Sequence, residues 1–215
     1  PMHEERFSAI SAAVTTGEEE DALHLVTAAL EDGLPPLAIL EEGLVKGILT
    51  AGELWDKNEY FLPDVVLAAS AFKRAMPVLE ASLKEAGTER HTETCVIGVV
   101  QGDMHDLGKN LVCDMLSSVG FDIIDLGINV PPETFVEAIE EHQPAILGLG
   151  CYMTTTMMRI GQLLQDLDRR GLRDQVKIMV GGVPTSQAFA DEVGADAWGK
   201  DGMDAVRKAR ALIGG

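Results

Sequence analysis

A chain of 215 residues that is 46% hydrophobic and 24% charged holds enough apolar material for one or two modest domains with a packed core. Seventeen Lys and Arg against 35 Asp and Glu give a net charge of −18, which repels phosphate backbones and anionic lipid and sets nucleic acid and membrane surfaces aside as partners. No apolar run reaches the ~20 residues of a bilayer span, and the opening PMHEERF lacks the basic-then-apolar order of a secretory leader, so a cytoplasmic location is expected.

Residues 4–86 read as helix throughout. TGEE offers Thr16 as an N-cap with Glu19 three places on, a capping-box spelling, and Gly33 with Pro35 and Pro36 closes that helix. Leu37, Leu40, Leu44, Ile48 and Leu54 come next at mixed three- and four-residue steps and predict one apolar stripe. The last helix starts after Leu62, with Pro63 in its first turn, and runs to Gly87; Pro77 should kink it. Four helices on short connections predict an up-down bundle over residues 1–88. The polar stretch KEAGTERHTE, residues 84–93, reads as a linker to a second domain, 89–215.

From residue 94 the period changes. TCVIGVV, DIIDLGI, AILGLG and VKIMVGG are β-rich and apolar on both faces, as parallel strands covered by helices are. Helices fit 107–119, 132–142, 155–170, 185–193 and 201–213, with a short strand near Ala197 and Trp198. The expected fold is α plus α/β: a four-helix bundle followed by a flavodoxin-like, Rossmann-type, doubly wound sheet of five parallel strands. Cys95, Cys113 and Cys151 form no CxxC and sit in apolar or helical contexts, which predicts buried thiols rather than disulfides or zinc.

Ligands of open parallel sheets bind beyond the carboxyl ends of the strands. That rule puts the turns 102–108, 150–156 and 181–185 on one rim, each rich in Gly or hydroxyl residues. In VIGVVQGDMHDLGKN the first turn holds an imidazole, His105, with Asp103 two places back. An acid so placed can hold one ring nitrogen and fix the tautomer, leaving the other nitrogen as metal ligand or base. Asp106 is expected to cap the helix after it.

DMHDLG, continued by Lys109 and Asn110, resembles the DxHxxG motif of cobalamin-binding domains, and residues 4–213 resemble the corrinoid proteins of methyltransferase systems and the matching module of cobalamin-dependent methionine synthase. The resemblance implies cobalamin or a related cobamide bound base-off and His-on, with His105 as lower ligand of cobalt and Asp103 and Thr156 hydrogen-bonded in series behind it. It implies a cofactor contact along Gly102, Asp103, Met104, His105, Asp106, Leu107 and Gly108, the glycine sparing the corrin a collision. Gly181, Gly182 and Val183 would line the slot for the displaced nucleotide tail. Where the family commonly has Ser-x-Leu this chain has Gly150, Cys151 and Tyr152, so the bond from that Ser to the nucleotide base is missing; Thr154 is the next hydroxyl position. The stretch LWDKNEYFLPDVVLAASAFKRAM resembles the segment that caps the upper face of the corrin, with Trp55 and Leu62 as the apolar cap residues.

By this resemblance the protein is a carrier subunit, not catalytic without partners, in which Co(I) and methyl-Co(III) alternate. A donor-specific methyltransferase would supply the methyl group, a second methyltransferase using tetrahydrofolate or a thiol would receive it, and a reductive activation protein would restore Co(I). Methanol, methylamines, quaternary amines and methoxyaromatics all remain open as donors. The alternative is a cobalamin-dependent sensor or regulatory protein, which shares the bundle-plus-sheet pair but adds a DNA-binding domain and a Glu-His after the cap Trp; PDVVLA here has no Glu-His.

Overall fold

A computed structural model of the protein describes residues 2–86 and 93–214, and the chain divides into two compact units, Pro1–His91 and Thr92–Gly215. Most of the expected linker, residues 87–92, lies outside the described residues.

The first unit is helical: α1 (Met2–Thr16), α2 (Glu19–Glu31), α3 (Pro36–Ala38), a π-helix (Ile39–Val45), α4 (Lys46–Asp56) and α5 (Leu62–Glu85). Because α3, the π-helix and α4 run on without a break, the unit has four helical rods, with Ile10, Val14, Val26, Ile39, Leu44, Phe72 and Leu79 in its core. The capping box is not formed. Thr16 ends α1, its hydroxyl bonded back to Ala12 O and Ala13 O, and Gly17 turns left-handed at φ +74°. A hydroxyl at the end of a helix can bond back to its own helix's carbonyls rather than serve the next helix's N–H groups. α2 starts behind Glu18, whose side chain makes no cap bond. The π-helix also corrects the single stripe. Each π turn takes an extra residue and rotates the positions after it, so Leu40, Leu44 and Ile48 are buried while Leu37 is exposed and Leu54 half-buried. α5 passes through Pro77 without interruption.

Two glycines let α1 approach this rod closely. A Cβ on Gly43 would lie 2.9 Å from Ile10 Cγ2, and one on Gly47 2.6 Å from Val14 Cβ and 2.8 Å from Ser11 O. Thr15 Oγ1 lies 3.0 Å from Gly47 O across the contact and 2.8 Å from Ser11 O of its own helix. Gly→Ala in a helix interior ordinarily stabilises by about 1 kcal/mol. At Gly47 overpacking reverses the sign, and Gly47→Ala should lower the stability of the helical unit by about 2 kcal/mol, read by thermal or urea unfolding of the whole chain.

The second unit carries strands β1 (Thr94–Val99), β2 (Asp122–Asp125), β3 (Ile146–Gly150), β4 (Lys177–Gly181) and β5 (Ala197–Gly199), all parallel, in the order β2-β1-β3-β4-β5. This is the flavodoxin-like order expected. Helices α6 (Leu107–Ser118), α7 (Pro132–His142), α8 (Met157–Arg169), α9 (Gln187–Val193) and α10 (Gly202–Ile213) alternate with the strands. Strand β2 departs from the expectation of two buried faces: it is an edge strand with exposed Asp122 and Asp125 at its ends. Helix α9 begins at Gln187 because Ser186 caps it, accepting from Phe189 N at 3.1 Å. The central strands are buried, with Val96, Leu147, Leu149, Ile178 and Val180 in the core. Their register sets Val99 beside Gly150, Gly150 beside Gly181 and Gly181 beside Gly199, so four strands end level. No helix among the described residues is long and apolar enough to cross a membrane.

Candidate functional site

The level strand ends create the rim on which the three turns meet. Asp103 is its pivot: fully buried, it accepts five hydrogen bonds. Oδ1 takes the His105 N–H at 3.2 Å and the His105 ring at Nδ1, 2.7 Å away. Oδ2 takes Tyr152 N–H at 2.6 Å, Met153 N–H at 3.1 Å and the Thr156 hydroxyl at 3.2 Å. Burial alone pushes this carboxyl's pKa up; bonds from the His105 ring, the Tyr152 and His105 amides and Thr156 outweigh it and hold the pKa below the ordinary value. An ionised carboxylate only accepts, so Nδ1 carries the proton and Nε2 keeps its lone pair. The His105 side chain is 61% exposed and tilts against the Tyr152 ring, centroids 5.9 Å apart.

The structure brings Asp103, His105, Tyr152 and Thr156 into one bonded group. Gly102, at φ +92°, has the Thr156 methyl 3.4 Å from where its Cβ would stand. Gly108 has a nearer reason to be glycine than the one the resemblance implies: a Cβ there would lie 2.6 Å from the Tyr152 hydroxyl oxygen. Gly150 packs beside Tyr152 as well, 3.4 Å from its ring by the same measure. On the neighbouring turn Gly182 takes φ +117° with its missing Cβ only 1.8 Å from Cys151 O, so no side chain fits between the ends of β3 and β4; Gly181 stands against Gly199 O. Met104, Leu107, Val183 and Thr154 are exposed around this group. Asp106 occupies the N-cap position of α6, but its side chain makes no cap bond, contrary to expectation; at φ −114°, ψ −25° it is already near-helical rather than extended. Trp55, half-buried at the end of α4, and Leu62, exposed at the start of α5, belong to the helical unit.

Several supporting residues escaped the sequence reading. Asn129, left-handed at φ 53°, clamps the His105 turn twice: its N–H donates to Asp103 O at 3.0 Å and its Oδ1 accepts from Gly102 N at 2.8 Å. Lys109 is buried in the first turn of α6, its ammonium on Asp125 Oδ2 at the end of β2 and 2.7 Å from Asn110 Oδ1. Asp125 Oδ1 accepts from Gly127 N at 2.8 Å, tying the β2 turn to α6. In the helical unit Phe61, beside Leu62, is 66% exposed. An Asn between Gly127 and Pro131 signals a left-handed turn; its partner 26 residues away has no sequence signal.

Among the described residues no three His, Cys, Asp or Glu side chains converge on a metal position. His105 can give a metal one ligand, at Nε2, and a metal held in a cofactor would bring its other ligands with it. The surroundings fit a large flat apolar group that does so: Met104, Leu107, Met153, Met158 and Val183 are exposed and apolar, and glycines stand where backbone must come close.

Residues 93–207 match a family profile described as B12 binding domain, and residues 7–80 match a second profile of the same description. Trimethylamine corrinoid protein 1 of Methanosarcina acetivorans is 39% identical over 211 residues, covering 98% of each chain. Dimethylamine corrinoid protein 3 of the same organism is 39% identical over 95% of each chain. Among solved structures, the methanol:cobalamin methyltransferase complex of Methanosarcina barkeri aligns with a TM-score of 0.84 at 30% identity, over 98% of this chain and 80% of that one. A cobalamin-binding protein from Desulfitobacterium hafniense aligns at 0.82 and 27% identity, over 96% and 98%.

Proposed function

The chain belongs to the B12-binding corrinoid proteins of methyltransferase systems, and from that membership we propose that it is a methyl carrier working between two methyltransferases. The observation that carries the reading is the His105 ring at the strand ends, its Nδ1 fixed on a buried carboxylate and its side chain 61% exposed. The bound cobamide supplies the cobalt that takes up and gives up the methyl group. His105 Nε2 would be the protein's ligand to that cobalt. Asp103 fixes the tautomer and, through its charge, the basicity of the ring; Thr156 holds Asp103. Gly102 to Gly108 would line the corrin and Gly181, Gly182 and Val183 the slot for the nucleotide tail, with Gly150, Tyr152 and Thr154 as further cofactor contacts. Trp55 and Leu62 are proposed as further apolar contacts.

A donor-specific methyltransferase is the partner on one side; a second methyltransferase acting on tetrahydrofolate or a thiol is the partner on the other, with a reductive activation protein to restore the cofactor. Reconstitution with hydroxocobalamin tests the site. The wild type should retain the corrinoid with the absorption spectrum of a histidine-ligated cobalt, and His105→Ala should lose that ligation signature. Identical spectra for the two proteins, or no corrinoid retained by the wild type, would overturn the reading.

A further inference from the structure

Behind the Asp103–His105 pair lies a buried thiol. Cys151 is fully enclosed at the end of β3, and its Sγ is 3.3 Å from Met153 O and 3.3 Å from Thr156 Oγ1. Thr156 has one hydroxyl hydrogen and two oxygen acceptors for it, Met153 O at 2.9 Å and Asp103 Oδ2 at 3.2 Å, the Cys151 sulfur being a weaker third. Distance favours Met153; charge favours Asp103, since a bond to a carboxylate is the stronger.

The Cys151 S–H competes with the Thr156 hydroxyl for Met153 O. Met153 O has two lone pairs, and the Thr156 N–H already takes one, at 3.1 Å. If the Cys151 S–H takes the second, the carbonyl is full and the Thr156 hydroxyl hydrogen goes to Asp103. If the S–H turns to Thr156 Oγ1 instead, the hydroxyl turns to Met153 O and Asp103 falls from five donors to four. Both arrangements place the same hydrogens; the first puts the mobile one on the charged acceptor, where a hydrogen bond is the stronger.

We propose that Cys151 is a positioning residue of the cofactor site: by filling the Met153 carbonyl it commits the single hydroxyl hydrogen of Thr156 to Asp103. Removing the thiol reopens the nearer acceptor, and the hydroxyl leaves Asp103. The carboxylate then pulls harder on the His105 Nδ1–H, and Nε2 becomes a better electron donor to a metal. The thiol thus weakens histidine ligation and keeps the ring able to leave. The inference deepens the cobamide reading and rests on it for the second of two readouts.

The first readout needs no cofactor. In the cofactor-free protein the proton resonance of His105 Nδ1–H, at one fixed pH, reports the strength of the bond to Asp103. Cys151→Ala and Thr156→Val should each shift it downfield, and the double variant should shift it no further than either, because both act through one hydrogen. Cys151→Ser, which keeps a donor, should resemble the wild type. In the cobamide-loaded proteins the equilibrium for histidine ligation should rise on the order of two- to five-fold in Cys151→Ala, again without addition in the double variant. An unmoved resonance in Cys151→Ala, or shifts that add in the double variant as independent packing effects do, overturns the proposal. Coupled resonances in a protein that retains no cobamide would support the hydrogen assignment and sink the cofactor reading instead.

Discussion

Asp103→Asn is expected to leave His105 in place and abolish its use as a ligand. Five donors converge on the two oxygens of Asp103, and an amide offers only one oxygen. The best compromise turns that oxygen to Tyr152, Met153 and Thr156, and the NH2 to His105. The ring can then pair only by accepting at Nδ1, which moves its proton to Nε2, the position a metal needs. Nitrogen chemical shifts of His105 in the cofactor-free protein should report the exchanged tautomer, and the histidine-ligated spectrum should disappear on loading. A ring still protonated at Nδ1 in the variant would contradict this exchange. Because the new NH2 also faces the His105 N–H, the α/β unit should lose about 2 kcal/mol or more.

The same carboxyl makes stability depend on pH with a definite sign. Its folded pKa is lowered, so the unfolded chain binds the proton more readily. The resulting stabilisation is present in full above the ordinary carboxylate range, about pH 4, and is lost as pH falls through the lowered folded value. Urea midpoints should accordingly fall in acid more steeply for the wild type than for Asp103→Asn, which has no carboxyl there to protonate.

Gly182→Ala is expected to be the most damaging single substitution on the rim. The added Cβ would stand 1.8 Å from Cys151 O and 2.6 Å from Cys151 C, both backbone atoms, and at φ +117°. That carbonyl cannot step back freely, since the Cys151 N–H is bonded to Gly181 O at 2.9 Å and continues the β3–β4 pairing. The strand ends must separate, with a cost on the order of 3 kcal/mol or more and a fall in melting temperature of roughly 10 °C or more for the α/β unit. Gly171→Ala is the control: φ is +71° but no atom lies within 4 Å of its Cβ, so only the left-handed strain of about 1–2 kcal/mol applies. Equal losses in the two variants would show that backbone conformation, and not the closeness of β3 and β4, is what the glycine serves.

Periodicity made most of the architecture legible. Apolar runs of strand length alternating with amphipathic helices give five βα units, and for such units the parallel order β2-β1-β3-β4-β5 is one of few handed solutions. The pairing of Asp103 with His105 was legible too, because two residues of separation leave the carboxylate within reach of the ring whatever the rest of the chain does. Local signals failed where a competing partner was close in space. Thr16 was spelled as a cap for α2 and instead took the carbonyls of its own helix, and Leu37 fell out of its stripe because a π-helix rotated the register after Ala38.

The sequence by itself determined the two periods, the alternation of strands and helices and the imidazole on its carboxylate, because each arises from contacts a few residues apart or from a pattern repeated along the chain. Only the tertiary structure decided who holds that carboxylate. Tyr152, Met153 and Thr156 reach it across 49 to 53 residues, Asn129 clamps its turn across 27, and Cys151 governs a hydroxyl hydrogen that no pattern could assign. Hydrogen bonds of that range exist only once the strands have paired and their ends stand level; the alternation of strands and helices puts the three turns on one rim, and the paired strands alone settle which atoms bond across it.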